Sequence, residues 1–297
     1  ERTRVVDHAR EQLDSQSFDG VVVVEWHDAE GPHRERVRVR QHGGRVEIVT
    51  EEGTVASDAS TVLLDGQAWT TLGAKGGVAA DLTEGKYDVD KSPGPVIAGI
   101  ETTRYEASRD GHVVERLSVE DASGLVLRRE VFGTDGEVAR SMSFMRVVER
   151  EAPVTTSSTV APRPGPQALD DLDAPYRDPA SAGDGFRLLG RWQHPDDLAQ
   201  LYYSDGVLSV SVFEQPGHLE WDRLPSGGET VELDGRRAQR YALPVGEAWV
   251  FERSGIVYTF VGDASTAELA ELANDVSRPD ESRVERLARM VVEPFRW

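Results

Sequence analysis

Short glycine turns set between alternating runs constrain this chain more than any other feature. Asp65-Gly66, Asp110-Gly111, Asp135-Gly136, Asp205-Gly206 and Asp234-Gly235, with Gly43-Gly44 and Ser254-Gly255, each separate stretches in which apolar residues recur at every second position. A two-residue hairpin turn needs φ > 0 at its central positions, which glycine and, less readily, Asp accept. Strands joined so tightly must run antiparallel, because a parallel pair needs a crossover of about a dozen residues or more. The expected class is α+β and mostly antiparallel β.

In the first half the alternation predicts strands at Phe18–Trp26, Arg34–Arg40, Arg45–Thr50, Thr61–Asp65, Ala68–Leu72, Glu101–Ala107, His112–Val119, Leu125–Phe132 and Glu137–Val147. Ahead of them Val5, Val6, Ala9 and Leu13 form one stripe of a short amphipathic helix. One helix followed by a long meander suits an open, curved half-barrel sheet enclosing helices. Between Thr71 and Ile100 the pattern breaks around Gly73, Gly76, Gly77, Pro93 and Pro95, and a flap is expected there. Ala152 to Ala182 holds Pro153, Pro162, Pro164, Pro166, Pro175 and Pro179 among small polar residues, a composition that favours extended chain over a core. It is expected to link a domain of residues 1–151 to a smaller one of residues 183–297. In the latter, strands are predicted at Phe186–Trp192, Leu198–Tyr203, Val207–Glu214, Glu229–Leu233, Ala238–Leu243, Glu247–Phe251 and Ile256–Val261. Ser265-Thr-Ala-Glu268 fits a capping box opening a helix with Leu269, Leu272 and Ala273 on one face, and a last helix is expected from Glu281 to Val292.

Composition closes several function classes. The 297 residues include no cysteine, which removes disulfides, thiolate nucleophiles and Cys-based metal sites. A net charge of −20 argues against broad nucleic-acid binding, which needs clustered basic residues. His8, His27, His33, His42, His112, His194 and His218 form no compact metal-binding spacing, and no Gly-x-Ser-x-Gly elbow is present. No metal, cofactor or catalytic residue is expected. No apolar run approaches the roughly 18 residues needed to span a bilayer.

Leu201-Tyr-Tyr-Ser-Asp-Gly-Val-Leu-Ser-Val-Ser-Val212 reads as a hairpin with a half-buried returning strand, its turn at Asp205-Gly206. The segment resembles a signature in the small C-terminal domain of the RseB/MucB family of extracytoplasmic sigma-factor regulators. Arg116-Leu-Ser-Val-Glu-Asp-Ala-Ser-Gly-Leu-Val-Leu-Arg128, continuing through Asp135-Gly136 to Phe144, is similar to adjacent strands of that family's N-terminal domain, a fold shared with the carriers LolA and LolB. Ser123 and Val126 depart from the Thr and Pro usual there. The resemblance implies a non-enzymatic extracytoplasmic regulator in the periplasm or cell envelope. Such a regulator binds the outward-facing segment of a membrane anti-sigma factor, modulates its proteolysis and senses lipid or lipoprotein. It also implies membrane association through that partner or through an anchor or signal outside the given residues. The alternative is a lipid or lipoprotein carrier of the cell envelope on the same fold.

Three sets of residues are candidates for binding. The matched motif points to Tyr202, Tyr203, Ser204 and Asp205 as partner-binding residues, with the two tyrosines on opposite faces of a strand. Val22, Val24, Trp26, Ile48, Leu63, Trp69, Leu117, Leu127 and Phe144 are candidates to line a lipid-accepting concavity, with a packed core as the plainer reading. Arg34, Arg36, Arg38 and Arg40 share one side of a strand, forming either a salt-bridge ladder or a basic track for acidic peptides or lipid headgroups.

Overall fold

The computed structural model describes residues 17–28, 31–42, 45–49, 54–58, 62–64, 67–69, 85–149, 167–170, 172, 175–179, 181–194, 197–243 and 246–277. The helices expected at Val5–Leu13 and Glu281–Val292 lie outside these residues, as does the flap between residues 71 and 84.

The first half folds into β1 (Phe18–Asp28), β2 (Gly31–His42), β3 (Arg45–Val49), β4 (Thr54–Asp58), the small hairpin β5 (Val62–Leu64) and β6 (Gln67–Trp69), β7 (Asp88–Pro93), β8 (Thr103–Arg109), β9 (His112–Val119), β10 (Val126–Phe132) and β11 (Val138–Glu149). Nine of these make one sheet in the order β4-β3-β2-β1-β11-β10-β9-β8-β7. It consists of two antiparallel meanders, β1 to β4 and β7 to β11, joined where β1 runs beside β11. Its path ends at β4 and β7, so the sheet is open. Asp110 and Gly111 both take positive φ, 53° and 78°, the tight turn expected from the sequence.

One face of this sheet carries the apolar cluster Phe18, Val22, Val37, Leu125, Leu127 and Phe144, with Val24, Val39, Met142 and Val147 packed at its margin. Val22 lies in register with Val37 on β2 and Phe144 on β11. Gly20 makes the packing possible: a Cβ there would stand 2.4 Å from the Phe144 ring. The segment expected as a flap is ordered where it is described. It supplies edge strand β7, followed by a tight loop in which Ile97 and Ile100 exchange backbone hydrogen bonds of 2.9 Å. Ile97 is buried in the Val22–Phe144 cluster, so an apolar residue hidden among glycines and prolines joins the core.

The second half forms β12 (Gln167–Ala168), β13 (Ser181–Ala182), β14 (Phe186–His194), β15 (Leu198–Ser204), β16 (Ser209–Pro216), β17 (Glu229–Leu233), β18 (Arg236–Leu243), β19 (Gly246–Arg253), β20 (Ile256–Gly262) and helix α1 (Thr266–Ser277). Again two meanders are zipped together, here through β16 and β20, with β12 and β13 both paired to β14. Helix α1 lays Leu269, Leu272, Ala273 and Val276 onto a core that includes Leu201, Tyr203, Val210, Val212, Phe251, Tyr258 and Phe260. Phe251 stacks on both Tyr258 and Phe260 at ring separations of 5.3 and 5.6 Å, and those two rings lie 6.4 Å apart, closing a triangle. The capping box forms as the sequence predicts, with Ser265 N donating to Glu268 Oε2 at 2.9 Å and Glu268 N to Ser265 Oγ at 3.3 Å.

Two expectations need correction. The later part of the expected Ala152–Ala182 linker belongs to the second sheet. Gln167 and Ala168 pair with β14, Leu172 is buried in the core, and Tyr203 donates its hydroxyl to Pro179 O at 3.0 Å. Proline content marked this stretch as unable to build a core, yet it packs as a strap on a core built by others. The Leu201–Val212 hairpin is also not half-buried. Every residue of β16 from Ser209 to Glu214 is buried, because the serine face is covered as well as the valine face.

Candidate functional site

The two sheets meet through charged and polar side chains at one end of the first sheet's apolar face, and the Asp205 turn stands at the centre of that junction. The last pair of the hairpin is Ser204 with Ser209, so four residues cross between the strands where two were expected. Only Gly206 takes positive φ, at 98°. Asp205 closes the loop with its side chain: Oδ1 accepts the backbone N–H groups of Val207 at 3.1 Å and Leu208 at 2.8 Å. Ser204 Oγ donates to Leu208 O at 2.8 Å and accepts from Gly206 N at 3.0 Å. These bonds leave Asp205 Oδ2 aimed at the first sheet, where it takes Tyr87 Oη at 2.6 Å and Lys86 Nζ at 2.7 Å. Asp205 is fully buried.

Two further carboxylates of the second sheet act in the same way. Asp263, just past β20, accepts Ser209 N at Oδ1 at 2.6 Å, receives Arg129 Nη2 at Oδ2, and takes Arg140 Nη2 at its backbone carbonyl at 2.8 Å. Arg129 is held from behind by Glu115 at 2.6 Å. Glu268, already the helix cap, reaches Arg109 at 2.6 Å through its other oxygen. Strand register explains why these groups converge. Glu115, Val131, Arg140 and Trp26 form one row across β9, β10, β11 and β1, and Val131 within it is buried in the second sheet's core. Along the same face, moving toward Val22 and Leu127, the row turns apolar.

Burial disfavours charge on Arg129, but Glu115 and Asp263 outweigh it and hold the guanidinium more firmly protonated than in water. Burial pushes the Tyr87 phenol well above its ordinary range, and Asp205 adds to the shift, so Tyr87 is a fixed hydrogen-bond donor. Arg140 is pulled downward by burial, with Asp263 opposing. A junction of this kind adds little net stability over an apolar one, but removing one partner strands the other in a buried site. It therefore fixes one arrangement of the sheets more strongly than it stabilises it.

Of the motif residues, Tyr203 points into the core below α1 and Tyr202 into the opposite, also buried, face. Tyr202, Tyr203, Ser204 and Asp205 are each 3% exposed or less, so in this arrangement they organise the hairpin and the junction and present no surface. Among the lipid-cavity candidates, Val22, Val24, Leu127 and Phe144 come together in one cluster, closed in part by Ile97. Trp26 lies farther along β1, stacked on His33 at 5.1 Å, and Leu117 lies across from Arg129. Ile48 sits on β3 opposite Val39 and Val55, while Leu63 and Trp69 belong to the β5–β6 hairpin. The side chains of these three lie outside the described residues. The four arginines stand on the opposite face of β2, with Arg34 paired to Glu25 at 3.3 Å.

Sequence reading missed Lys86, Tyr87, Arg109, Arg129, Arg140 and Asp263. The one available signal was compositional: Lys86 is one of three lysines, beside Lys75 and Lys91, in a chain whose other basic residues are arginines. A further buried carboxylate, Glu214 at the other end of β16 from Ser209, accepts the backbone N–H of Arg177 in the strap at 2.9 Å. Burial pushes its pKa up to about 8, with the Arg177 contact opposing.

No family model matches the chain, and no curated protein matches it. Solved structures do. A crystal structure of MucB aligns over 92% of this chain and 96% of its own, at 17% identity and a TM-score of 0.58. MucB in the Pseudomonas aeruginosa MucA/MucB complex aligns over 94% and 98%, at 17% identity and a TM-score of 0.53. MucB in complex with MucA(peri) covers 94% and 99%, at 16% identity and 0.53. At this identity the likeness speaks for architecture, and it runs through both sheets: the chain has the two-part antiparallel fold of MucB.

Proposed function

We propose that this chain is a non-enzymatic extracytoplasmic binding protein whose partner is the outward-facing segment of a membrane anti-sigma factor, and that occupancy modulates proteolysis of that partner. One observation carries the reading. The fold likeness extends over nearly the whole of both chains, second sheet included, and the protein it reaches is one solved in complex with MucA. A carrier needs only a curved sheet with an apolar face. Here a second sheet of equal strand number is fixed against that face through Asp205, Asp263 and Glu268. In this reading the first sheet is the curved half-barrel of a LolA-like domain, and the matched motif serves recognition indirectly by holding the two sheets in one arrangement. The lipid-carrier alternative would use the apolar row of Val22, Leu127 and Phe144. Packing of that row against Ile97 supports a filled core over an open pocket.

The test asks whether a single-span anti-sigma protein is encoded beside this gene and titrates its ectodomain into the full chain by calorimetry. Saturable binding of one ectodomain, lost in residues 1–150 alone, is the expected result. Absence of binding by the full chain, together with acyl chains in its organic extract, would overturn the regulator in favour of the carrier.

A further inference from the structure

The face of the first sheet turned away from the junction carries a basic groove on a chain whose net charge is −20. Strand register separates its arginines into two kinds. At the ends of the stripe, Arg34 lies opposite Glu25, and Arg40 lies between Asp19 on β1 and Glu47 on β3. In the middle, Arg36 lies opposite Val23, and Arg38 lies between Val21 and Val49. Arg146 on β11 faces the other side of Val21. Arg36, Arg38 and Arg146 are exposed, and no ion pair joins them to any described acidic residue. The short Val21 side chain between longer ones leaves a depression of about 360 Å³, bordered by Arg38, Arg40, Arg146, Val148 and Asp19. Asp19 is the acidic member, and it stands at the Arg40 end.

We infer that this groove binds an extended acidic peptide segment whose carboxylates occur at alternate residues. The spacing selects this occupant. Arginines two residues apart on one strand are about 7 Å apart, and so are the side chains on one face of any extended peptide laid along it. Two carboxylates of such a segment meet Arg36 and Arg38 together, and Arg146 reaches the second from across Val21, leaving an apolar floor for the intervening backbone. Guanidinium forks bind carboxylates through paired hydrogen bonds, and a segment with no two carboxylates at alternate residues presents only one of them to Arg36 and Arg38 at a time. The chain's overall negative charge does not prevent this, since at physiological salt charges beyond about 8 Å are largely screened and the segment feels the arginines beside it. The groove lies on the opposite face from the junction, so this proposal stands independently of the anti-sigma reading.

The experiment uses the full chain and two labelled peptides of one composition, the alternating Gly-Glu-Val-Glu-Val-Glu-Gly and a control without glutamates at alternate residues, Gly-Glu-Glu-Val-Val-Glu-Gly, followed by fluorescence anisotropy at low and near-physiological salt. The alternating peptide is expected to bind about tenfold more tightly than the control, and Arg38→Glu to remove about that factor, in line with charge-assisted pairing. Arg236→Glu, an equal charge change on an exposed position of the second sheet, is expected to leave binding unaltered. If Arg38→Glu shifts the thermal melt, Arg38→Gln and Arg146→Gln supply the same readout. Equal affinity for the two peptides, equal effects of Arg38→Glu and Arg236→Glu, or no binding would each overturn the proposal. So would Arg38-dependent capture of phosphatidylglycerol vesicles without peptide discrimination, which would make the groove a site for lipid phosphate.

Discussion

The two sheets are built alike and sealed differently. Each has nine strands in two zipped meanders, yet the second sheet carries its own cover in α1, under which Tyr203, Phe251, Tyr258, Phe260, Leu269 and Leu272 pack together, and its buried Glu214 is met from the same half of the chain by the backbone of Arg177. The first sheet's apolar face gives way along its strands to Glu115, Arg129 and Arg140, whose partners come from the other half of the chain. Apolar burial is non-directional and tolerates small shifts, whereas hydrogen-bonded ion pairs demand one geometry. The second sheet thus brings its own apolar cover, while at the junction the charged groups of the two halves complete each other and Val131 of the first sheet joins the second's core.

The largest test of this asymmetry is to separate the two halves. We propose that they are independently folding domains, and a cut between residues 150 and 166 should leave two folded pieces, the C-terminal one melting close to the full chain and the N-terminal one well below it. Separate thermal melts check this, and two unfolded pieces would remove the domain assignment. Asp263→Ala should reproduce the deficit within the intact chain. It leaves Arg129 facing Glu115 alone, and breaking a buried pair costs about 3–5 kcal/mol. Urea unfolding, with the rate of proteolysis at residues 150–166 as a second readout, measures it. A loss confined to the second sheet's transition would show that Asp263 serves only its own hairpin.

The next effect probes the half that carries its own cover. Glu214 has a folded pKa near 8 against an ordinary 4.5, so between those values the native state holds a proton that the unfolded chain releases. This group's contribution to stability therefore falls as pH rises through that window, by at most about 1.4 kcal/mol per pH unit. Glu214→Gln should flatten the slope and leave the variant the more stable form above about pH 8. The groups that share its surroundings, Tyr203, Tyr258, Asp178 and Arg177, stay in place, so a slope unchanged in Glu214→Gln would assign the dependence to another group. The smallest effect belongs to the first sheet's apolar end. Gly20→Ala drives a methyl into the Phe144 ring and should cost about 1–3 kcal/mol, less if the ring can turn aside. Its urea midpoint shift should appear in the N-terminal piece as well as in the full chain.

What the sequence determined by itself is what short-range chemistry controls. Alternation and Asp-Gly turns placed β1, β2 and β8 to β11 and the main strands of the second sheet, because side-chain period and turn dihedrals are local properties. The Ser265–Glu268 cap was legible for the same reason. Strands β4 and β7 were not, since Thr54-Val-Ala-Ser-Asp58 and Asp88-Val-Asp-Lys-Ser-Pro93 are polar edge segments whose pairing is dictated by neighbours. Tertiary structure alone decided the rest. It turned Asp205 from a turn residue into a buried link to Lys86 and Tyr87, folded the proline-rich strap onto β14, and carried Ile97 into the core. A carboxylate's local role is set by the backbone it caps, but its second oxygen bonds whatever the fold brings within reach. For Asp205 the donors lie 118 and 119 residues away along the chain, a distance no local pattern encodes.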